Sequence, residues 1–348
     1  MPGARAPLKR EETGWRTRPV FGEELASSSF GTEADENFNL EAWDVQPIFA
    51  FAWIFRADTG ANRAPFMPLG IVIALPNEWG YLGPAFHSHT GGTLVGRRSF
   101  VGRLGTSPVI AMVGGVGKEN ARRASAALCD THGATVLLSI GYAGALDPEL
   151  RRGDIVLSAY SMSDRNEAPR DEDLEREDRL RGVADASHEH HVYVGPLYTA
   201  NRIVARHEEK NALFTRTRCP VVDMESWAVY SEARARKLPF LGIHSITDTA
   251  EEDIPALEVI NPFLKSESPW RYLRLLFDVL KRPKLFWDMA MLSRDAKIAG
   301  RNAAHFLVSN EGRLADLARD LRALGAAAKP SAAAAAAFSG APTATRPA

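Results

Sequence analysis

Residues 219–230 read Cys-Pro-Val-Val-Asp-Met-Glu-Ser-Trp-Ala-Val-Tyr. Two β-branched residues lead into Asp223 and Glu225, and a helical pattern of small and apolar residues follows. The pattern predicts a short strand that delivers acids to the start of a helix, where free N–H groups and the helix dipole favour a carboxylate. We expect Asp223 to be the N-cap and Glu225 to lie in the first turn. Glu225 could then accept both donors of a vicinal diol such as a ribose, although acids here often only cap a helix.

Two further acids follow apolar strands. Residues 238–246 are largely apolar and lead into Thr247 and Asp248, and the apolar run Leu69–Leu75 is followed shortly by Glu78. Open α/β sheets bind their ligands at the carboxyl ends of strands. Asp248 and Glu78 are therefore candidate catalytic residues, although many loops carry a glutamate without such a role.

Strands and helices alternate from Leu69 to about Asp253, which is typical of an α/β protein. We predict a single-domain mixed β-sheet flanked by helices, with a helical C-terminal extension. The predicted segments are a disordered N-terminal extension (1–66), the α/β domain (67–255), the helical extension (256–325) and a disordered low-complexity tail (326–348). Because Met67 falls just before the first strand, we hypothesise that it is the translation start.

The sequence Val-Asp-Met-Glu-Ser at 222–226, followed by Ile-Thr-Asp at 246–248, resembles the purine nucleoside phosphorylase and adenosyl nucleosidase superfamily. The glycine-containing block 139–156 is similar to the sugar-binding strand end of that superfamily. The resemblance implies cleavage of the N-glycosidic bond of a purine nucleoside of the adenosyl type. It implies that Glu78 activates water and that Asp248 protonates the departing base. The residues that it assigns to substrate binding are Gly141, Tyr142, Tyr198, Met224, Glu225 and Thr247.

Within that set, Tyr198 would stack on the purine, whereas Met224 and Glu225 would hold the ribose. The alternative for Tyr198 is a buried core tyrosine. Phosphorylases of this superfamily usually place an arginine where Ser139 stands and a serine or threonine where Tyr142 stands. These departures favour water over phosphate as the nucleophile. A phosphorylase, or an inactive nucleoside-binding protein with the same fold, stays an alternative.

The sequence defines the substrate less closely than it defines the reaction. Small-molecule nucleosidases of the superfamily often have an arginine near the end of the last strand, where this chain has His244. Residues 139–144 (Ser-Ile-Gly-Tyr-Ala-Gly) look similar to the hopanoid-associated branch, which removes adenine from an adenosylated lipid. The expected ligand is thus a small-molecule nucleoside or an adenosylated lipid. The resemblance also implies a homo-oligomer.

We expect neither a metal nor a redox cofactor. Lys118 is followed by Glu119 rather than by serine or threonine, which excludes a Walker phosphate loop. The run 188–191 (His-Glu-His-His) lacks the i, i+4 histidine spacing of a zinc helix and fits a sheet edge better. The formal net charge of −1 gives no general attraction to nucleic acid.

The sequence favours a cytoplasmic location. The N-terminus lacks the apolar core of a secretion signal, and both cysteines lie in apolar segments, as expected for buried thiols. Residues 265–284 interleave lysine and arginine with aromatic and aliphatic side chains, and such a helix can lie on an anionic membrane. Packing of its apolar stripe on the catalytic domain is the alternative.

Overall fold

A computed structural model describes residues 68–164, 169–257 and 283–327 of the chain. The predicted N-terminal extension lies outside these residues, as do the tail beyond residue 327 and nearly all of the basic segment 265–284. The predicted helix 269–281 likewise lies outside them.

The described residues form one sheet of eleven strands with helices packed against it. The strands are β1 (Leu69–Ile73), β2 (His87–Leu94), β3 (Arg97–Leu104), β4 (Ser107–Val113), β5 (Val136–Ala145), β6 (Ile155–Ser158), β7 (Ser161–Met162), β8 (Val192–Val194), β9 (Leu197–Thr199), β10 (Val221–Asp223) and β11 (Phe240–Asp248). The helices are α1 (Pro76–Leu82), α2 (Lys118–His132), α3 (Asp171–Asp185), α4 (His207–Thr217), α5 (Ser226–Ala235), α6 (Pro283–Ser309) and α7 (Glu311–Ala327). The prediction of an α/β fold with a helical C-terminal region is confirmed.

The centre of the sheet is parallel. Strand β5 pairs in parallel with β1 on one side and with β11 on the other, and all three are buried along nearly their whole length. Burial on both faces explains why their sequences are almost continuously apolar. Parallel strands end at the same edge of a sheet, so the residues that follow β1, the end of β5 and the end of β11 meet there.

Antiparallel pairs complete the mixed sheet. Strands β2, β3 and β4 form a meander beside β1, and β6 runs antiparallel to β11. Strand β10 runs antiparallel to the last residues of β5, with Val222 opposite Gly144. This pairing carries the Asp-Met-Glu segment to the edge where β1 and β11 end.

Helix α6 packs against β11, α1 and β5. Its buried stripe includes Ala299, Ala303, Phe306 and Leu307, a spacing typical of one helical face. None of the helices in the described ranges is both long enough and apolar enough to cross a membrane.

One local prediction at the start of α5 is wrong. The helix begins at Ser226, so Glu225 occupies the N-cap position instead of the first turn. The Asp223 carboxylate nevertheless accepts the backbone N–H of Ser226 at 2.7 Å. Asp223, the predicted N-cap, lies two residues before that position. From there its carboxylate still satisfies one free N–H at the start of the helix.

Candidate active site

Glu78 lies in the first turn of α1, directly after β1, and is 3% exposed. Its Oε2 atom accepts the backbone N–H groups of Ala74 (3.0 Å) and Leu75 (2.8 Å), and Oε1 accepts that of Tyr142 (3.0 Å). Burial raises the pKa of Glu78 to about 7, although the three N–H groups act in the opposite direction. A carboxylate has about four acceptor positions, so one stays available for a further donor.

Two glycines of β5 make room for acidic side chains. A Cβ atom at Gly141 would lie 2.8 Å from Glu78 Oε1, and one at Gly144 would lie 2.9 Å from Asp248 Oδ2. Real Cβ atoms do not approach oxygen so closely, so any larger residue at either position would displace the carboxyl group from its present place. Gly141 does not itself line the cavity described below. The structure places Gly141 against the Glu78 carboxyl group, and its role in substrate binding stays a prediction.

Asp248 is the last residue of β11, and each of its two carboxyl oxygens accepts a hydrogen bond. Thr247 Oγ1 donates to Asp248 Oδ1 at 2.8 Å, and Lys210 Nζ donates to Oδ2 at 2.6 Å. Lys210 also donates to the carbonyl oxygens of Thr249 (2.7 Å) and Glu252 (3.2 Å), and its side chain is fully buried. Each of the three ammonium hydrogens therefore has an acceptor, which fixes the lysine beside Asp248.

Glu225 reaches across to the loop before α2. Its Oε1 accepts the N–H of Gly117 at 2.6 Å, and its Oε2 accepts that of Met224 at 3.2 Å. Burial, followed by the nearby Asp223 carboxylate, raises the pKa of Glu225. Asp223 is itself held by Thr199 Oγ1 at 2.6 Å as well as by Ser226.

These side chains surround one cavity of about 410 Å³. The predicted site residues that line it are Glu78, Tyr142, Met224, Glu225, Thr247 and Asp248. With Asp223, four carboxyl groups face the same space. Among the lining residues that the structure describes, only Arg202 is a lysine or arginine, and its guanidinium pairs with Glu209 at 2.6 Å.

Tyr198 is not among the residues that line the cavity. Its ring packs in a small apolar cluster with Leu146 and Val204, of which Val204 does line the cavity, and its hydroxyl donates to Asp164. Successive residues of a strand point to opposite faces, and the next residue, Thr199, is the one that bonds Asp223. Tyr198 is thus buried in an apolar cluster beside the cavity wall, and its stacking on the purine stays a prediction.

Sequence reasoning missed two contributors to the site. Lys210 follows two glutamates in α4, a pattern typical of an exposed helix, so nothing local predicts its burial. Helix α6 supplies Leu292, Ser293 and Ala296 to the cavity wall from far along the chain. The sequence predicts a helix in this region, but it does not indicate which surface of the α/β domain the helix covers.

The fold is a mixed sheet, and four carboxyl groups lie together at one of its edges. The family model described as the phosphorylase superfamily matches residues 68–267, more than half of the chain, and the chain belongs to that family. Helices α6 and α7 lie beyond the matched residues.

Named relatives and solved structures are similar to between about half and three quarters of this chain. A 5′-methylthioadenosine/S-adenosylhomocysteine nucleosidase from Anoxybacillus flavithermus is 24% identical over 206 residues, covering 54% of this chain and 88% of the relative. A solved nucleosidase of that kind from Colwellia psychrerythraea, in complex with adenine, gives a TM-score of 0.54 at 20% identity and covers 71% of this chain and 96% of its own. Futalosine hydrolase of Helicobacter pylori gives 0.51 at 16% identity, covering 70% and 98%. The two solved structures establish the shared fold.

Proposed function

We propose that this protein hydrolyses the N-glycosidic bond of a purine nucleoside of the adenosyl type. The protein is an N-glycosidase, the class of enzyme to which its relatives named as nucleosidases belong. The observation that carries the proposal is the convergence of Glu78, Glu225 and Asp248 on one cavity. Cleavage of such a bond passes through an oxocarbenium-like state, which needs a base for water, an acid for the leaving group and a grip on the sugar.

Glu78 is the base in this mechanism. A group with a pKa of about 7 is partly ionised at neutral pH and can take a proton from water. Its fourth acceptor position can receive that water, since backbone N–H groups occupy the other three. Those N–H groups also fix the carboxylate, so little reorganisation accompanies the reaction.

Asp248 is the acid, and Lys210 positions it. In this mechanism Asp248 enters the reaction protonated and gives that proton to the purine. The carboxylate that remains accepts the hydrogen bond from the Lys210 ammonium at 2.6 Å, which stabilises its negative charge. Thr247 fixes the other oxygen of the same carboxyl group. Glu225 and Met224 hold the ribose, with the carboxylate of Glu225 accepting from the diol.

The charges around the cavity favour water over phosphate. Four carboxyl groups face the space, and the single arginine among the described lining residues already pairs with a glutamate. A phosphate dianion would find no uncommitted cation among the described lining residues, whereas neutral water needs none. Ser139, which stands where the phosphorylases usually have an arginine, carries no charge. Its hydroxyl accepts a hydrogen bond from Ser226 in the interior at 2.9 Å.

The described cavity wall also favours an apolar substituent on the nucleoside. Leu257, Leu292 and Ala296 present apolar surface, and the latter two come from the helix beyond the family match. An adenosylated lipid or a small thioether nucleoside fits this chemistry better than a charged amino-acid side chain does.

Release of adenine tests the proposal. The purified protein is incubated in phosphate-free buffer with adenosine, 5′-methylthioadenosine, S-adenosylhomocysteine and an adenosylated lipid, and the products are identified by mass spectrometry. We expect free adenine and free sugar from at least one apolar-substituted compound. Turnover that requires phosphate and yields a sugar 1-phosphate would instead establish a phosphorylase. Binding without release of adenine would establish an inactive binding protein.

A further inference from the structure

We propose that Glu189, His190 and His305 bind a divalent transition-metal ion, at a site separate from the catalytic cavity. In the described parts of the chain, the ligand atoms of these three side chains lie within 4.8 Å of one another. His190 Nε2 lies 2.9 Å from His305 Nδ1, and His305 Nδ1 lies 3.9 Å from Glu189 Oε2. None of the three lines the cavity.

The donor set defines the class of ion. Two imidazole nitrogens and one carboxylate oxygen suit Zn²⁺, Co²⁺ or Ni²⁺ rather than Ca²⁺ or Mg²⁺, which prefer oxygen ligands alone. Zinc–nitrogen bonds of about 2.0–2.1 Å in a tetrahedron place two nitrogens a little over 3 Å apart. The observed 2.9 Å is within a small side-chain adjustment of that value. Because Glu189 and His305 are exposed, water can complete the coordination sphere.

Two neighbouring contacts orient the ligands. Ser309 Oγ donates to Glu189 Oε2 at 2.9 Å. The His190 ring meets the buried Phe306 ring edge-on at a centroid distance of 5.8 Å. Contacts of this kind, outside the ligands themselves, restrict rotamers and favour metal binding.

The position of the site gives the ion a structural role. Glu189 and His190 precede β8, whereas His305 lies on α6, the helix that also contributes Leu292, Ser293 and Ala296 to the cavity wall. A bound ion would join α6 to the segment before β8. Spacing alone does not predict this site, because the run 188–191 lacks a zinc pattern and the third ligand lies 115 positions from His190.

Metal titration of the full-length, tag-free protein tests the site. After chelator treatment and dialysis, Zn²⁺ binding is measured by calorimetry and Co²⁺ binding by visible absorption. We expect one Zn²⁺ per chain at this site, with an affinity at least tenfold lower in His190→Gln and in His305→Gln. The matched control is His188→Gln, which removes an exposed histidine next to the cluster and should bind as the wild type does. Far-UV circular dichroism verifies that each variant is folded.

A second readout follows the proposed structural role. Zn²⁺ should raise the thermal unfolding midpoint of the wild type and of His188→Gln, and the rise should disappear in His305→Gln and shrink in Glu189→Gln. Wild-type protein that binds no stoichiometric Zn²⁺ would show that the two histidines only hydrogen-bond each other. Equal binding by His305→Gln would also overturn the proposal. Neither result depends on which nucleoside the enzyme cleaves.

Discussion

At the scale of single residues, the balance of forces on Glu78 decides the chemistry. Three backbone N–H donors favour its ionised form, yet complete burial has the larger effect and holds the pKa near 7. A glutamate with an ordinary pKa would be a weaker base, and one with a much higher pKa would stay protonated at neutral pH. The site thus combines a fixed carboxylate with a basicity suited to neutral conditions.

Glu78→Gln keeps the shape of the side chain and removes the base. We expect kcat to fall by about 10²-fold or more, with ligand affinity changed only a few-fold, because the base acts mainly in the transition state. In the wild type, kcat/KM should rise with pH up to about 7 and level off above it, since only the ionised form accepts a proton. Steady-state kinetics between pH 5 and 9 measure both effects. A wild-type pH profile that is flat across pH 7 would remove Glu78 from the role.

Asp248 and Lys210 can be tested as a pair. Asp248→Asn removes the acid and should lower kcat by about 10²-fold or more. Lys210→Met keeps length without charge and should lower kcat through the loss of the bond at 2.6 Å, whereas Lys210→Arg should retain more activity because it keeps the cation. Since both residues serve one proton transfer, the double variant should be little worse than Asp248→Asn alone. Additive losses in kcat would show that Lys210 acts independently of Asp248.

The limits of sequence reasoning are also visible in single residues. The carboxyl residues could be located because each follows an apolar strand, and parallel strands end at one edge. The burial of Tyr198 could not be predicted, because a three-residue strand gives too little alternation to tell which face a side chain takes. Lys210 was missed because its partners, Asp248, Thr249 and Glu252, are about forty positions away.

At the scale of elements, α6 is the part of the site that the family match does not include. The helix approaches α1 and β5 so closely that a Cβ atom at Gly300 would lie 2.5 Å from Tyr81 Cδ2 and 2.7 Å from the Tyr142 hydroxyl. Both tyrosines line the cavity. The glycine therefore sets how near this helix comes to the substrate space. The sequence predicts a helical extension here, but only the folded chain shows that α6 meets two site residues.

Gly300→Ala should move α6 or the two tyrosine rings. Overpacking of this kind costs about 1–3 kcal/mol, more than the gain of up to about 1 kcal/mol that alanine brings to a helix interior. We expect a lower free energy of unfolding and a higher KM for the nucleoside. Urea denaturation and steady-state kinetics measure the two quantities.

The matched control for that change is Gly182→Ala in α3, where a Cβ atom would meet nothing within 4 Å. This variant should be as stable as the wild type or slightly more so, with unchanged KM. If Gly300→Ala behaves in the same way, α6 does not press on the tyrosines in solution.

At the scale of the whole molecule, the buried acids reduce stability at neutral pH. Burial raises the pKa of both Glu78 and Glu225, so the folded state holds protons that the unfolded chain has already lost. The free energy of unfolding should therefore fall as the pH rises from the unfolded pKa toward the folded one. His244 acts in the opposite direction. Burial lowers its pKa, so as the pH falls the unfolded chain takes up this proton more readily than the folded protein does.

Comparison of the wild type with Glu78→Gln isolates one of these contributions. Glutamine does not titrate, so the wild type should be relatively most stable below about pH 4.5 and should lose that advantage as the pH rises to about 7. A shift from 4.5 to about 7 corresponds to a change of about 3 kcal/mol in the difference between the two free energies of unfolding, at about 1.4 kcal/mol per pH unit. Above pH 8 the difference should be constant. His244 is present in both proteins, and its contribution cancels in the comparison. Urea denaturation of both proteins at pH 4.5 to 8.5 gives this curve, and a difference that does not change with pH would mean that Glu78 is ionised throughout in the folded protein.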